Sequence, residues 1–420
     1  MRIIQHSVQY LFFILDLRRR GKVLQLSFTN FRKGSYLVVE GKNVNDRFYI
    51  IQRGHVSCLV SDFIAQPNAK ILGPGDFVGV IPCMSRHAQI ENVIALTDVV
   101  AITVQRDQYS ELIAKNTPVA MKIIRTFANS MREMNEKLTR LTLKNTVSES
   151  TEQIFHVAEY YEKIKKPSIA AYAYYQYVKS SPDGAYLAAA KKRFMELRQK
   201  SRAVYFEPTA DLIRFYPKDT MIFSECQRGA EMFIIQEGKV KITKVVNGEE
   251  VTLAVLKKGD MFGEMALIEN KPRSASAVAD EECRLMTVNR KNFDQMVSTQ
   301  SQLITKLTTT LAERLWSMLR QLSNAQIPDP IYKLLDMLAL QVEKARININ
   351  TKTSYETGLS LQDLANMCGI PQEQQPVILI QLQKNPLIRL EKSKIIIPNC
   401  SDLVKNVTLS KQYHIKHQLK

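Results

Sequence analysis
The run from Phe262 to Ala275, Phe-Gly-Glu-Met-Ala-Leu-Ile-Glu-Asn-Lys-Pro-Arg-Ser-Ala, sets a carboxylate (Glu264), a guanidinium (Arg273) and a small-residue turn within fourteen residues. Gly263 has no Cβ, so the backbone can turn sharply there. Met265 to Ile268 can form one short helical turn, and the unpaired N–H groups at the start of such a turn favour an anion. Arg273 follows Glu264 by nine residues, and its fork of donors suits a phosphate. Glu264 has no cation beside it in sequence, which leaves it to accept from a sugar hydroxyl. A phosphate and a ribose hydroxyl met by one short segment describe a compact nucleotide. The alternative is a tight turn closed by a surface salt bridge between Glu264 and Arg273.

These residues need a scaffold, and the chain carries it twice. Phe31 and Phe215 stand 184 residues apart, and Ile50-Ile51-Gln52 recurs at that offset as Ile234-Ile235-Gln236. Gly54 and Gly238, Gly75-Asp76 and Gly259-Asp260, Gly79 and Gly263, and Ala95 and Ala279 keep the same offset. Each copy reads as short alternating apolar runs broken by Gly, Asp and Asn, the pattern of a small β barrel or jelly roll. In the second copy the runs are 221–223, 232–236, 240–245, 251–256 and 283–288, and Asn247-Gly248 marks a hairpin. In the first copy Val80 takes the place of Glu264 and Gln89 that of Arg273. Arg86 would serve only after a three-residue shift that breaks the register, and His87 reads as a surface residue. The first barrel is therefore expected to be structural or dimerising.

Each barrel precedes a long amphipathic stretch. Ile124, Phe127, Met131, Met134, Leu138 and Leu141 form one stripe, and Ile304, Leu307, Leu311, Leu315, Met318 and Leu322 form the other. Such stripes want a partner helix, either the other stripe of the same chain or its counterpart in a homodimer. Between the barrels, Ala158, Tyr161, Ala170, Tyr174 and Pro182 fall where a tetratricopeptide repeat places its small, aromatic and terminating residues, with Tyr177 departing from the pattern. A helix over 185–198 resembles its cap. One repeat cannot bury its own face, so this unit is either a spacer docked on a barrel or a surface for a protein partner.

Toward the C-terminus, Ile331, Leu334, Leu335 and Leu338 mark a core helix. Ser360 with Asp363 has capping-box spacing, Gly369 makes a turn, and a second helix is expected over 372–384. Leu387–Leu390 and Ile395–Ile397 then form a hairpin around Glu391–Lys394. This order resembles a winged helix-turn-helix.

Composition sets outer bounds. At 420 residues the chain should hold two to four domains, and 45% hydrophobic residues can fill real cores. A net charge of +17 favours acidic partners such as nucleic acid, and also serves solubility. Six scattered cysteines without a CxxC argue for reduced thiols in a cytoplasmic protein and against a metal site. The apolar stretch Val8–Leu15, followed by Arg18, Arg19 and Arg20, is too short to span a bilayer and lacks a cleavage site. It reads as an apolar helix or as the product of a start codon set too far upstream. No nucleophile elbow, phosphate-loop lysine or metal spacing appears, so the chain is expected not to be an enzyme.

The run 262–275 resembles the phosphate-binding cassette of the cyclic-nucleotide-binding domain, and barrel, long helix and winged helix follow in the order of the Crp–Fnr regulators. The resemblance covers 205–400 well and 26–145 as a diverged barrel. Together with the patterns above, it gives an expected α+β chain of two jelly-roll barrels with following helices: a segment 1–25, a degenerate barrel with helix at 26–145, a tetratricopeptide-like unit at 146–204 that is foreign to the simple family members, a nucleotide-binding barrel with helix at 205–325, a winged helix at 326–400 and a basic tail at 401–420. It also implies that Gly263, Glu264, Met265, Ala266, Arg273, Ser274 and Ala275 bind the nucleotide. Ser274 favours cAMP, with cGMP as the alternative, and Trp316 is a candidate base contact. Gln372, Glu373, Gln374 and Gln375 would meet bases, with Lys384, Lys392 and Lys394 on phosphates, although this stretch lacks the arginine usual in the relatives. The expected function is nucleotide-controlled DNA binding. The alternative is a sensor acting on protein partners through the inserted unit. No membrane contact is expected.

Overall fold
The computed structural model describes residues 26–41, 46–60, 70–143, 150–246, 248–371 and 373–418. The expectations for residues 1–25, Asn247 and Gln372 lie outside them.

The internal repeat is structural. Each copy is built from two four-stranded antiparallel sheets with the same strand order. In the second copy one sheet runs Ile213–Tyr216, Cys283–Asn289, Glu231–Glu237, Met261–Phe262. The other runs Met221–Phe223, Ser276–Ala279, Val240–Val246, Glu249–Leu256. Their inner faces share one apolar cluster, including Phe223, Phe233, Ile235, Val240, Phe262, Ala277 and Leu285. The offset of 184 holds to the residue for several elements: strand Arg47–Arg53 against Glu231–Glu237, and helix Val80–Ser85 against Glu264–Glu269.

The two long helices, Thr117–Leu143 and Ser301–Ala325, pack on each other within the chain. Ile124, Phe127 and Met131 meet Ile304, Leu307, Leu311 and Leu315 in a single core. Each such side chain withdrawn from water contributes about 1.5–3 kcal/mol, against about 0–1 kcal/mol for an exposed ion pair. The apolar seam therefore holds the halves together, and of the two pairings open from sequence the intramolecular one is formed.

The inserted unit comprises helices Glu152–Lys163, Pro167–Ser180 and Leu187–Arg198. It is docked on the second copy: Phe155, Tyr161, Tyr172 and Tyr174 share a cluster with Met221, Cys226, Val245 and Val278 of the barrel. The C-terminal unit packs helix Pro330–Lys344 against Leu361–Met367, Gln375–Gln383 and a three-stranded sheet. Ser360 and Asp363 form the expected capping box. Residues 401–420, expected as a tail, belong instead from Cys400 to Gln418 to a helix. Leu403 and Val407 bury the first two turns of this helix against the core of that unit.

Candidate functional site
Gly263 caps the short helix Glu264–Glu269 with φ of 78°, a left-handed conformation. A Cβ there would stand 2.8 Å from Arg273 Nη1 and 3.2 Å from the Phe223 ring, so close packing demands glycine as well. Arg273 is 6% exposed and lies over the Phe223 ring, 4.1 Å from its centroid. It donates to the carbonyls of Gly263 (2.6 Å) and Glu231 (2.7 Å), while its Nε has no partner. Burial pulls its pKa down to about 10, so it remains a cation at neutral pH. No carboxylate pairs with it among the described residues.

Glu264 is 2% exposed. Its Oε1 accepts from Arg314 of the second long helix at 3.1 Å, and its Oε2 is buried without a partner. Arg314 also donates to the Met261 carbonyl. The surface salt bridge considered from sequence is therefore not formed. The cation that Glu264 lacks among its neighbours in sequence comes from fifty residues downstream. Nothing in the local sequence signals Arg314, because the contact depends on how the long helix folds back. Ser274 sits half-buried with Oγ 3.8 Å from Met265 Sδ, and Ala275 is buried beside Arg273.

The first long helix closes over this cassette. Arg132 donates to Glu269 (2.9 Å) and to the Pro272 carbonyl (3.0 Å), one residue before Arg273. Its counterpart 184 residues on is Trp316, which donates to the carbonyl of Ala88, itself the counterpart of Pro272, at 3.3 Å. The halves thus clasp each other about a pseudo-twofold axis. Trp316, a candidate base contact from sequence, faces the first copy: it stacks on His87 with centroids 3.8 Å apart. Its partner site is the degenerate cassette, where Gln89 is buried in Arg273's place and Arg86 points to solvent.

His87 is thus a stacked, half-buried ring and not a surface residue. Burial, with the charge of Arg346 second, lowers its pKa to about 4 from 6.5. A folded value below the unfolded one means the contribution of this group to stability is complete above about pH 6.5 and is lost as pH falls toward 4. Fluorescence of Trp316, the sole tryptophan, should hold steady from pH 8 to 6 and change with a midpoint near 4, and His87→Phe should remove that step. A midpoint near 6.5 would contradict the stacked geometry.

At the C-terminal unit the second helix runs Gln375–Gln383, shorter than expected. Glu373 and Gln374 are exposed just before it. Gln375 is 5% exposed and cannot meet a base: its amide donates to the Ile370 carbonyl (2.7 Å) and to Asn366 (3.1 Å), and its side-chain oxygen accepts from Gln362. It pins the turn between the two helices. The exposed face carries Val377 (63%) and Ile380 (55%), with Lys384 following. Lys392 sits at the hairpin tip with φ of 47°, and Lys394 donates to the Gly358 carbonyl (2.7 Å).

The family described as cyclic nucleotide-binding domain matches residues 28–116 and 213–300. The chain therefore carries two such domains. It is 28% identical over 184 residues to the cyclic AMP receptor protein of Thermus thermophilus, covering 42% of this chain and 79% of that one. It is 26% identical over 187 residues to the cAMP-activated global transcriptional regulator CRP of Pasteurella multocida, covering 44% and 89%. A cAMP-dependent protein kinase regulatory subunit of Mycosarcoma maydis is 34% identical over 90 residues, 20% of this chain and 17% of that one. The chain thus carries this domain twice and is similar, over part of its length, to CRP-type regulators. No helix among the described residues is long and apolar enough to cross a membrane.

Proposed function
We propose that this chain is a non-catalytic regulator of the Crp–Fnr type, taking cAMP in its second domain and controlling DNA binding by the C-terminal unit, read as a winged helix. The observation that carries this is Arg273, a buried cation in salt-bridge contact with no carboxylate among the described residues, beside Glu264 with one buried carboxylate oxygen that has no partner there. The cyclic phosphate takes Arg273 and the N–H groups from Gly263 to Ala266. The ribose hydroxyl takes Glu264, and Ser274 favours cAMP over cGMP. Arg314 then shares Glu264 with the sugar, so ligand alters what holds the second long helix, which leads into the C-terminal unit. That shift requires ligand to prefer one arrangement energetically. The first domain takes no nucleotide and serves as the clasp.

On DNA, Lys384, Arg389 and Lys392 would meet phosphates, while Val377 and Ile380 can touch thymine methyl groups. The same two exposed apolar side chains also favour a second reading, in which this helix meets a protein. Calorimetry should show tighter binding of cAMP than of cGMP. A gel-shift assay with cAMP should lose affinity steeply between 50 and 200 mM salt, and Lys392→Ala should reduce the salt slope by about one. No shift at low salt would favour the protein-partner reading.

A further inference from the structure
Arg273 is held from outside the barrel. Its backbone N–H donates to the Gln227 carbonyl and its own carbonyl accepts from the Cys226 N–H, both at 2.9 Å. Its guanidinium lies against Gly229, where a Cβ would stand 2.5 Å from Nη2, and bonds the Glu231 carbonyl. The segment 224–231 thus fixes both the backbone and the tip of this residue. The inserted helices grip that segment at two points. The hydroxyl of Tyr172, a residue only 3% exposed, donates to the Ile222 carbonyl (3.1 Å) and accepts from the Gln227 amide (3.2 Å), whose oxygen accepts from the Ser224 N–H (2.9 Å). Gln153 donates to the buried Glu225 carboxylate (3.2 Å) and to the Val245 carbonyl (2.6 Å), and the Glu225 N–H donates to Ser276 (2.9 Å). At the common offset the degenerate copy carries Gly41 in Glu225's place.

We infer that Tyr172 is a positioning residue for Arg273, and that the inserted helices set nucleotide affinity by holding the 222–231 segment in the register that aims the guanidinium. This rests on reading the second domain as the nucleotide site. By linkage, anything that shifts the inserted helices changes nucleotide affinity, and nucleotide changes the insert's affinity for that agent by the same factor. The insert is then a second input to the site and not a passive spacer.

The test uses the full chain and cAMP as probe in calorimetry. Tyr172→Phe keeps the ring and removes one hydroxyl, and should weaken cAMP binding roughly three- to ten-fold with unchanged circular dichroism. In an Arg273→Lys background, measured to millimolar cAMP, the same change should cost markedly less, because its route through the arginine is already broken. Equal losses in both backgrounds, or no loss in the native one, would overturn the inference. If Tyr172→Phe does not fold, Gln227→Ala repeats the cycle from the other partner. A native chain that takes no cAMP would instead defeat the reading of the site itself.

Discussion

Replacing Arg273 with alanine is expected to remove nucleotide binding from the whole chain while the fold stays assembled. In the proposed site the guanidinium would supply two or more charge-assisted bonds to a phosphate, each contributing about 1.5–3 kcal/mol, and a tenfold change in affinity is about 1.4 kcal/mol. Losing them should cost more than a hundredfold. The fold has a smaller stake. Without ligand Arg273 satisfies two carbonyls, of Gly263 and Glu231, and covers one face of Phe223. Water can replace those bonds in the vacated space, so a lowered melting temperature is expected, with a cooperative transition kept. Arg273→Lys should recover charge but not the paired geometry, and so only part of the affinity. The first domain offers a comparison within the chain, since Gln89 already stands in Arg273's place. Calorimetry on the variant decides it: unchanged affinity for cAMP would remove the second domain from consideration.

Arg132→Ala should be the most destabilising single change on the first long helix. Arg132 and Glu269 are paired at 2.9 Å with side chains 7% and 3% exposed, far from the screened pairs of the surface. Removing one member of such a pair leaves a buried charge and costs about 3–5 kcal/mol. Replacing both, as Arg132→Met with Glu269→Leu, should recover most of it, because well-packed apolar side chains tolerate the same site. Urea unfolding of the single and double variants measures this, and a single-variant loss below about 1 kcal/mol would mean that the pair behaves as a surface one. The change should also weaken cAMP binding, since Arg132 holds the Pro272 carbonyl next to Arg273.

The cassette was legible because its chemistry is local. Gly263, Glu264 and Arg273 lie within eleven residues, and a glycine turn followed by one helical turn is enough to gather them. The repeat was legible for a related reason: glycines and apolar runs recur at one offset, and they demand the same strands wherever they occur. The capping box at Ser360 needs only three residues of spacing.

What could not be read was whatever depends on two distant segments meeting. Arg314 reaches Glu264 only when the second long helix folds back on its own barrel, and Arg132 reaches Glu269 only after the two long helices pair across the halves. An amphipathic stripe states that a partner exists without naming it, so pairing within the chain and pairing between chains look alike in sequence. The same gap misled the reading of Trp316: its place on a helix suggested an aromatic near a base, but the pseudo-twofold axis turns it onto His87 of the opposite half. Gln375 was misjudged because its polarity suggested a reader of bases, while the packing of two short helices buried it as a bracket for the turn. The residues that hold Arg273 in place, Tyr172 and Gln153, carry no motif at all. Sequence alone thus determined the repeat and the intact second cassette, since both follow from spacing along the chain. Tertiary structure decided which helix pairs with which and which groups surround Glu264 and Arg273, because those contacts form only when distant segments are buried together.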